Sequence, residues 1–135
     1  MTAAVFDTNV IVSGVLSPFG TPGRLLDAIL DGFCLPVVSD TIMEEYEDVL
    51  NRPTFRFSPS KTRLLLAAIR SRAVYAPFAP FPTAHVLPDP DDAIFVEAAL
   101  GLHVPLVTAS RKHFPPHAVG GAPVLSPSTF LARIA

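Results

Sequence analysis

Short, continuous apolar runs along the chain alternate with longer segments in which apolar residues recur every three or four positions. Continuous runs of this length are typical of buried strands. They lie at residues 3–6, 33–38, 104–108 and, more weakly, 123–125. The helical spacing occurs at residues 21–30, 40–52, 58–72, 89–100 and from 126 onward. Strands that alternate with helices indicate a parallel sheet with helices on both faces. The pattern therefore predicts an α/β fold: an α/β/α sandwich with a central, mainly parallel sheet of four to five strands.

Proline, glycine and small polar residues mark the predicted boundaries. Thr21-Pro22 and Ser58-Pro59 each supply a helix cap followed by a proline, whose missing N–H group is harmless in the first turn. Gly32 stands where a helix-ending glycine belongs. Residues 7–20 are predicted as a loop, and residues 76–88, which are rich in proline, as an extended loop or edge segment. The predicted inward face of the helix at 58–72 consists of Leu64, Leu65, Ala68 and Ile69.

The composition is that of one packed domain. Of 135 residues, 50% are hydrophobic and only 16% are charged, so the chain has enough apolar surface for one core and not enough length for two. We therefore expect a single domain over residues 1–135. No apolar run approaches the roughly 18 residues of a membrane span, no basic leader precedes Asp7, and Cys34 is the single cysteine. These features predict a cytoplasmic protein with no membrane contact.

Charge is distributed unevenly, although the net charge is only -2. The stretch from Asp40 to Asp48 contains acids and no base, and so does the stretch from Asp89 to Glu97. The segment 49–88 between them carries basic residues and no acid. Such blocks indicate separate acidic and basic surfaces in the folded protein.

Two of the carboxylates do not fit an ordinary surface role. Asp7 directly follows a buried apolar run, where a charge is costly unless it has a function, and Asp92 begins a helix whose next residues are apolar. Asp40 and Asp89, by contrast, are interpreted as helix caps. Carboxylates gathered at one sheet edge repel each other unless they share a proton or bind a cation. Oxygen ligands without paired histidines or cysteines favour Mg²⁺ or Mn²⁺, and such an ion supports phosphodiester hydrolysis.

Four segments of the chain together resemble the PIN-domain nucleases and, among them, the VapC-like toxins. The segments follow the family's order and spacing over nearly the whole chain. They are residues 7–13 (DTNVIVS), 45–53 (EYEDVLNRP), 89–99 (DPDDAIFVEAA) and 106–110 (LVTAS). The resemblance implies a parallel-sheet fold and a Mg²⁺- or Mn²⁺-dependent endoribonuclease that cuts single-stranded RNA. It also implies a homodimer that a cognate antitoxin protein holds inactive.

The resemblance assigns the three catalytic, metal-binding acids to Asp7, Glu45 and Asp92. Glu44 remains an alternative to Glu45. Where the family typically has a fourth acid, this chain has Ser110, whose hydroxyl can hold a metal-bound water but adds no charge. Ser110 is therefore expected in the metal site, and a second ion is expected to bind weakly.

Three further residues are expected to support this site. Asn9 matches the family's polar residue that shapes the loop around the first acid, and Thr108 lies two residues before Ser110. Asp89, or alternatively Asp91, could stand in for the missing fourth acid, although nothing in the sequence requires either.

Binding of the RNA backbone requires cations near the acids. The predicted phosphate-binding residues are Arg52, Arg56, Lys61, Arg63, Arg111 and Lys112. The histidines show no ligand spacing, and no catalytic role is predicted for them.

These observations support a metal-dependent endoribonuclease, the toxin of a toxin–antitoxin pair. The alternative, suggested by Ser110, is a degenerate PIN module that binds RNA or a protein partner without cleavage. A phosphatase-like domain with Asp7 as nucleophile fits less well, because the second carboxylate that such enzymes carry two residues later is Asn9 here.

Overall fold

A parallel sheet forms the centre of the molecule. The computed structural model describes residues 2–78, 80 and 86–134. Its sheet has five strands in the order β3-β2-β1-β4-β5, and each neighbouring pair is parallel. The strands are β1 (Ala3–Phe6), β2 (Leu35–Val38), β3 (Val74–Tyr75), β4 (Leu106–Val107) and β5 (Val124–Leu125). The predicted sheet of four to five strands is confirmed, with β3 as the strand that the apolar runs did not mark.

Six α-helices connect and cover the strands. They are α1 (Thr8–Leu16), α2 (Thr21–Leu30), α3 (Asp40–Leu50), α4 (Pro59–Arg72), α5 (Ala93–Leu102) and α6 (Pro127–Ile134). The strand order reverses at β1, since β2 and β3 lie on one side of it and β4 and β5 on the other. Right-handed crossovers then place the helices after β1 and β2 on one face of the sheet and α5 on the other. The α/β sandwich is therefore confirmed.

The first helix, α1, contradicts the predicted loop over residues 7–20. Its β-branched run Val10-Ile11-Val12 has low helix propensity, which is why the local pattern did not indicate a helix. Packing overrides that propensity, because these three side chains are buried and α1 lies against α2. A Cβ atom added at Gly23 of α2 would come within 2.2 Å of the Pro18 carbonyl oxygen, so a glycine is required at this close approach.

Smaller corrections concern element ends and faces. The β2 strand begins at Leu35, and the Phe33 side chain is exposed. The N-cap of α2 is Gly20 instead of Thr21. On the predicted inward face of α4, Ile69 is buried and Leu65 and Ala68 are half-buried, but Leu64 is exposed and Leu66 is buried in its place.

The boundaries of α2 and α3 agree with prediction in part. Gly32 ends α2 with a positive φ, as predicted. The cap of α3 is Ser39, which accepts the Ile42 N–H group, so the interpretation of Asp40 as a cap is wrong and Asp40 is the first residue of the helix. Residues 79 and 81–85 of the predicted loop 76–88 lie outside the described residues. None of the helices in the described ranges has the length and hydropathy that a membrane crossing requires.

Candidate active site at the carboxyl edge of the sheet

The first candidate acid, Asp7, lies where β1 and β4 end side by side. The register pairs Phe6 with Val107, and the Asp7 N–H group donates to the Val107 carbonyl oxygen at 2.9 Å. Thr108 directly follows Val107 at the end of β4, and its hydroxyl donates to Asp7 Oδ2 at 2.8 Å. This is the point at which the strand order reverses, the usual ligand crevice of such sheets. The fold thus delivers Asp7 and Thr108 to one location from opposite ends of the sequence.

A hydrogen-bond network holds the segment after β4 against the start of α1. The Ser110 N–H group donates to Thr108 Oγ1 at 3.0 Å. Asn9 donates from Nδ2 to Ser110 Oγ at 3.3 Å and accepts the Ala109 N–H group at 3.4 Å. The residues expected as supporting groups, Asn9 and Thr108, are therefore connected to Ser110 and Asp7 within a single network.

The second acid is reached from α3. Thr8 donates its hydroxyl hydrogen to Glu45 Oε2 at 3.0 Å, and Glu45 is half-buried. Glu44 is exposed on the same helix. The geometry therefore favours Glu45 over Glu44. Sequence reasoning missed Thr8, and its position between Asp7 and Asn9 was the available signal.

The residue after Glu45 anchors the strand that carries Asp7. Tyr46 is fully buried, and its hydroxyl donates to the backbone carbonyl oxygen of Phe6 at 2.5 Å. Burial, and then the charges of Asp7 and Glu45, raise the pKa of the Tyr46 hydroxyl. Tyr46 therefore stays a neutral donor beneath the two carboxylates. Tyr46 was not among the predicted site residues.

The third acid, Asp92, ends the short 3₁₀ turn Pro90–Asp92 that leads into α5. Asp89 caps this turn by accepting the Asp91 N–H group at 3.0 Å, as its sequence interpretation as a cap predicts. The Asp92 side chain is 16% exposed, and its Oδ2 lies 3.8 Å from Nδ1 of His113. No role was predicted for His113, and nothing in its spacing indicated this proximity.

The three acids influence one another electrostatically. Burial first, and then the charges of Asp7, Asp89, Glu45 and Asp91 in that order, together raise the pKa of Asp92 to about 7. Burial also raises the pKa of Asp7, which the hydrogen bond from Thr108 partly offsets and the charge of Glu45 reinforces. Such mutual repulsion shows that the carboxylates share one region of the molecule.

The donor atoms of this region fit a hard divalent cation, although a complete ligand set is not preformed. The region offers carboxylate and hydroxyl oxygens, which Mg²⁺ and Mn²⁺ prefer. Within residues 2–78, 80 and 86–134, no three His, Cys, Asp or Glu side chains are spaced to hold one ion together. Mg²⁺ commonly takes only one or two carboxylates and keeps several waters. The structure thus fits an ion held directly by fewer than three of the acids.

The predicted RNA-binding cations divide into two groups. Arg111 and Lys112 directly follow Ser110 and are exposed beside the carboxylates. The other group follows α3, and its first member, Arg52, lies seven residues beyond Glu45, roughly 10 Å further along the helix direction. Arg52 also pairs with Asp48 at 3.2 Å. The remaining members of this group are Arg56, Lys61 and Arg63, which line two grooves beside α4.

Fold and site together define an α/β protein with an acidic crevice at the strand-order reversal. The PIN domain family model matches residues 3–110. The chain belongs to the PIN domain family, whose members are generally nucleases.

Two similar proteins extend this comparison. The chain is 27% identical over 108 residues to the uncharacterized protein MJ1680 of Methanocaldococcus jannaschii, which covers 79% of this chain and 70% of the relative. The fold is similar to a chain in the crystal structure of VapBC2 from Rickettsia felis bound to a DNA fragment from their promoter. That match has a TM-score of 0.63 and 12% identity, and it covers 93% of this chain and 98% of the other.

Proposed function

We propose that this protein is a metal-dependent endoribonuclease that cleaves phosphodiester bonds of single-stranded RNA. The observation that carries the proposal is the placement of Asp7, Glu45 and Asp92 in one region, where the charges of Asp7 and Glu45 raise the pKa of Asp92 and the charge of Glu45 raises the pKa of Asp7. Clustered carboxylates that destabilise the metal-free protein are typical of a functional site, and a cation-binding site accounts for them here. Membership of a family of nucleases supports the same conclusion.

The divalent cation would be held by Asp7 and Asp92, with Glu45 and Ser110 holding its waters. When bound, it would polarise the scissile phosphate and lower the pKa of an attacking water. Thr108 favours the ionised form of Asp7 by donating to it, and Thr8 orients Glu45 by donating to Oε2. Arg111 and Lys112 would bind the RNA phosphates that flank the site.

The toxin role is part of this proposal. The similar fold in the VapBC2 structure supports the proposal that this protein is the toxin of a toxin–antitoxin pair. We infer that it acts in the cytoplasm, as a homodimer that binds a cognate antitoxin. The test is co-expression with the neighbouring gene product. Expression of this protein alone should arrest growth, and the neighbouring product should form a stable complex with it and relieve the arrest. Growth arrest that no neighbouring product relieves would contradict the toxin role.

The nuclease activity is tested with purified protein, single-stranded RNA and Mg²⁺ or Mn²⁺. We expect cleavage that chelator abolishes, and a loss of at least about 100-fold in Asp7→Asn and Asp92→Asn. Asp27→Asn removes an exposed carboxylate of α2 and is the matched control. Intact RNA with either metal would contradict the proposal.

The alternative is a PIN module that binds RNA or a protein partner without cleavage. Ser110 favours it, because it places a neutral hydroxyl hydrogen-bonded to Asn9 where the resemblance predicts a fourth acid. RNA binding that persists in every metal without cleavage would support this alternative over the nuclease.

A further inference from the structure

A second cavity opens on the same edge of the sheet, beside the acidic region. It has a volume of about 220 Å³ and lies between the N-terminal end of α3, the segment that follows β3, and one face of α5. Its lining includes Ser39, Asp40, Ala76, Phe78, Ile94 and Glu97. The proposed cleavage chemistry uses none of them.

The strand register places this cavity next to the acids. Val5 of β1 pairs with Val37 of β2, so Asp7 and Ser39 each lie two residues beyond a paired position. Adjacent strands are about 4.8 Å apart. Just after β3, the Ala76 N–H group donates to the carbonyl oxygen of Val38 at the end of β2, at 2.8 Å. The carboxyl edge of the sheet therefore extends to the segment that carries Phe78. The cavity therefore lies beside the ends of β2 and β3, one to two strand spacings along the sheet edge from Asp7.

The α5 helix provides a second connection. Asp92 immediately precedes this helix, and Ile94 and Glu97 on its following turn line the cavity. An RNA strand whose phosphate lies at Asp7 and Asp92 would therefore place a neighbouring nucleotide at the cavity entrance.

The walls suit a flat aromatic group. The Phe78 side chain is 88% exposed at the cavity, and Pro77 and Ile94 add apolar surface. An exposed phenylalanine ring is a stacking platform for nucleobases.

The polar groups of the cavity accept hydrogen bonds. Asp40 and Glu97 both line it. The ion pairs among the described residues involve Arg52, Arg70 and His113, and each of these pairs with an acid other than Asp40 or Glu97. Ionised carboxylates accept hydrogen bonds and donate none. They repel phosphate oxygens and favour groups with N–H donors. The cavity is thus suited to a base and not to the RNA backbone.

We propose that this cavity binds one nucleobase beside the scissile phosphate and selects bases that carry an amino group, guanine above all. Guanine presents adjacent N–H donors on its Watson–Crick edge, whereas uracil presents mainly carbonyl oxygens that the carboxylates would repel. Base edges of single-stranded RNA are read in this manner. The inference rests on the proposed RNA substrate.

The test measures binding of labelled oligouridine, with and without one guanine, to the Asp7→Asn protein in Mg²⁺ by fluorescence anisotropy. We expect about tenfold tighter binding when guanine is present. Asp40→Asn combined with Glu97→Gln should reduce this preference to less than about threefold. Phe78→Ala should weaken binding of both oligonucleotides by about tenfold.

The control variant Asp27→Asn in the same background removes one exposed negative charge away from the cavity, so it separates base selection from general charge effects. It should retain the guanine preference. Equal affinity for both oligonucleotides, or a preference that survives the double substitution, would overturn the inference while leaving the proposed function intact. Failure to bind either oligonucleotide would also overturn the inference, whereas the proposed function is tested separately by RNA cleavage with the wild type.

Discussion

Thr108 donates its hydroxyl hydrogen to the buried carboxylate of Asp7 at 2.8 Å, across 101 positions of sequence. The same hydroxyl oxygen accepts the Ser110 N–H group at 3.0 Å. One side chain therefore favours the ionised form of Asp7 and fixes the segment that carries Ser110. The proposed metal site depends on this connection between the ends of β1 and β4.

Replacing Thr108 with valine should weaken both the fold and the cation site. The substitution removes a hydrogen bond to a charged group and leaves the Ser110 N–H group without its acceptor, so we expect a loss of about 1–3 kcal/mol in unfolding free energy. Affinity for Mn²⁺ should fall about tenfold. Urea denaturation and calorimetry measure these effects, with Thr54→Val at an exposed position as control. Unchanged Mn²⁺ affinity would show that Thr108 does not act on the site.

Tyr46→Phe tests the anchor beneath Asp7. The substitution removes the hydroxyl that donates to the Phe6 carbonyl oxygen and retains the ring, so the expected cost is about 1–2 kcal/mol. RNA cleavage should fall mainly in kcat, because the carboxyl end of β1 would no longer be fixed. Tyr75→Phe, at a tyrosine that is 46% exposed, is the matched control. Equal stability and kcat in the two variants would refute the anchoring role.

The metal-free protein should lose stability as the pH rises from about 4 to 7. Burial and neighbouring acids raise the pKa of Asp92 to about 7, whereas an aspartate in the unfolded chain has a pKa of about 3.9. The folded state then binds the extra proton. The stabilisation of the folded state by this proton is complete below about pH 4 and disappears as the pH rises through 7.

The measurement is urea denaturation in chelator between pH 4 and 8, for the wild type and Asp92→Asn. The asparagine variant should gain relative stability across this range, by an amount on the order of a few kcal/mol, and Mn²⁺ should restore the wild type at pH 7. A constant difference between the two proteins at every pH would mean that Asp92 does not titrate in this range.

Ser110→Asp should tighten cation binding. A carboxylate at this position would add a charged oxygen where Asn9 now donates to a hydroxyl at 3.3 Å, and charged oxygens bind divalent cations more strongly. We expect at least about tenfold higher Mn²⁺ affinity by calorimetry, together with lower stability in chelator. Ser128→Asp, on the exposed surface of α6, should change neither. No gain in affinity would place residue 110 outside the metal site.

Much of this architecture was predictable from periodicity alone. Helices with separate apolar and polar faces, such as α3, and the largely buried strand β1 carry strong local signals, and those elements agree with the structure. The α1 helix was missed because Val10, Ile11 and Val12 are typical of strands, and only packing against α2 explains their helical conformation. Phe33 was assigned to a strand because it is apolar, although the structure leaves it exposed.

The site could be predicted residue by residue but not as a network. Asp7 and Asp92 were recognisable because charges next to apolar runs need a reason. The contacts Thr8 to Glu45, Tyr46 to Phe6 and His113 to Asp92 join distant segments, so no local pattern could reveal them. The roles of Asp7, Glu45 and Asp92 in metal binding and catalysis stay predictions.

The most direct test of the account is Mn²⁺ binding followed by electron paramagnetic resonance of the free ion, for the wild type, Asp7→Asn, Asp92→Asn and the control Asp27→Asn. The account predicts a site in the wild type and the control that weakens at least about tenfold in each of the other two variants. Wild-type affinity in Asp7→Asn and Asp92→Asn would contradict the claim that these buried carboxylates hold a divalent cation.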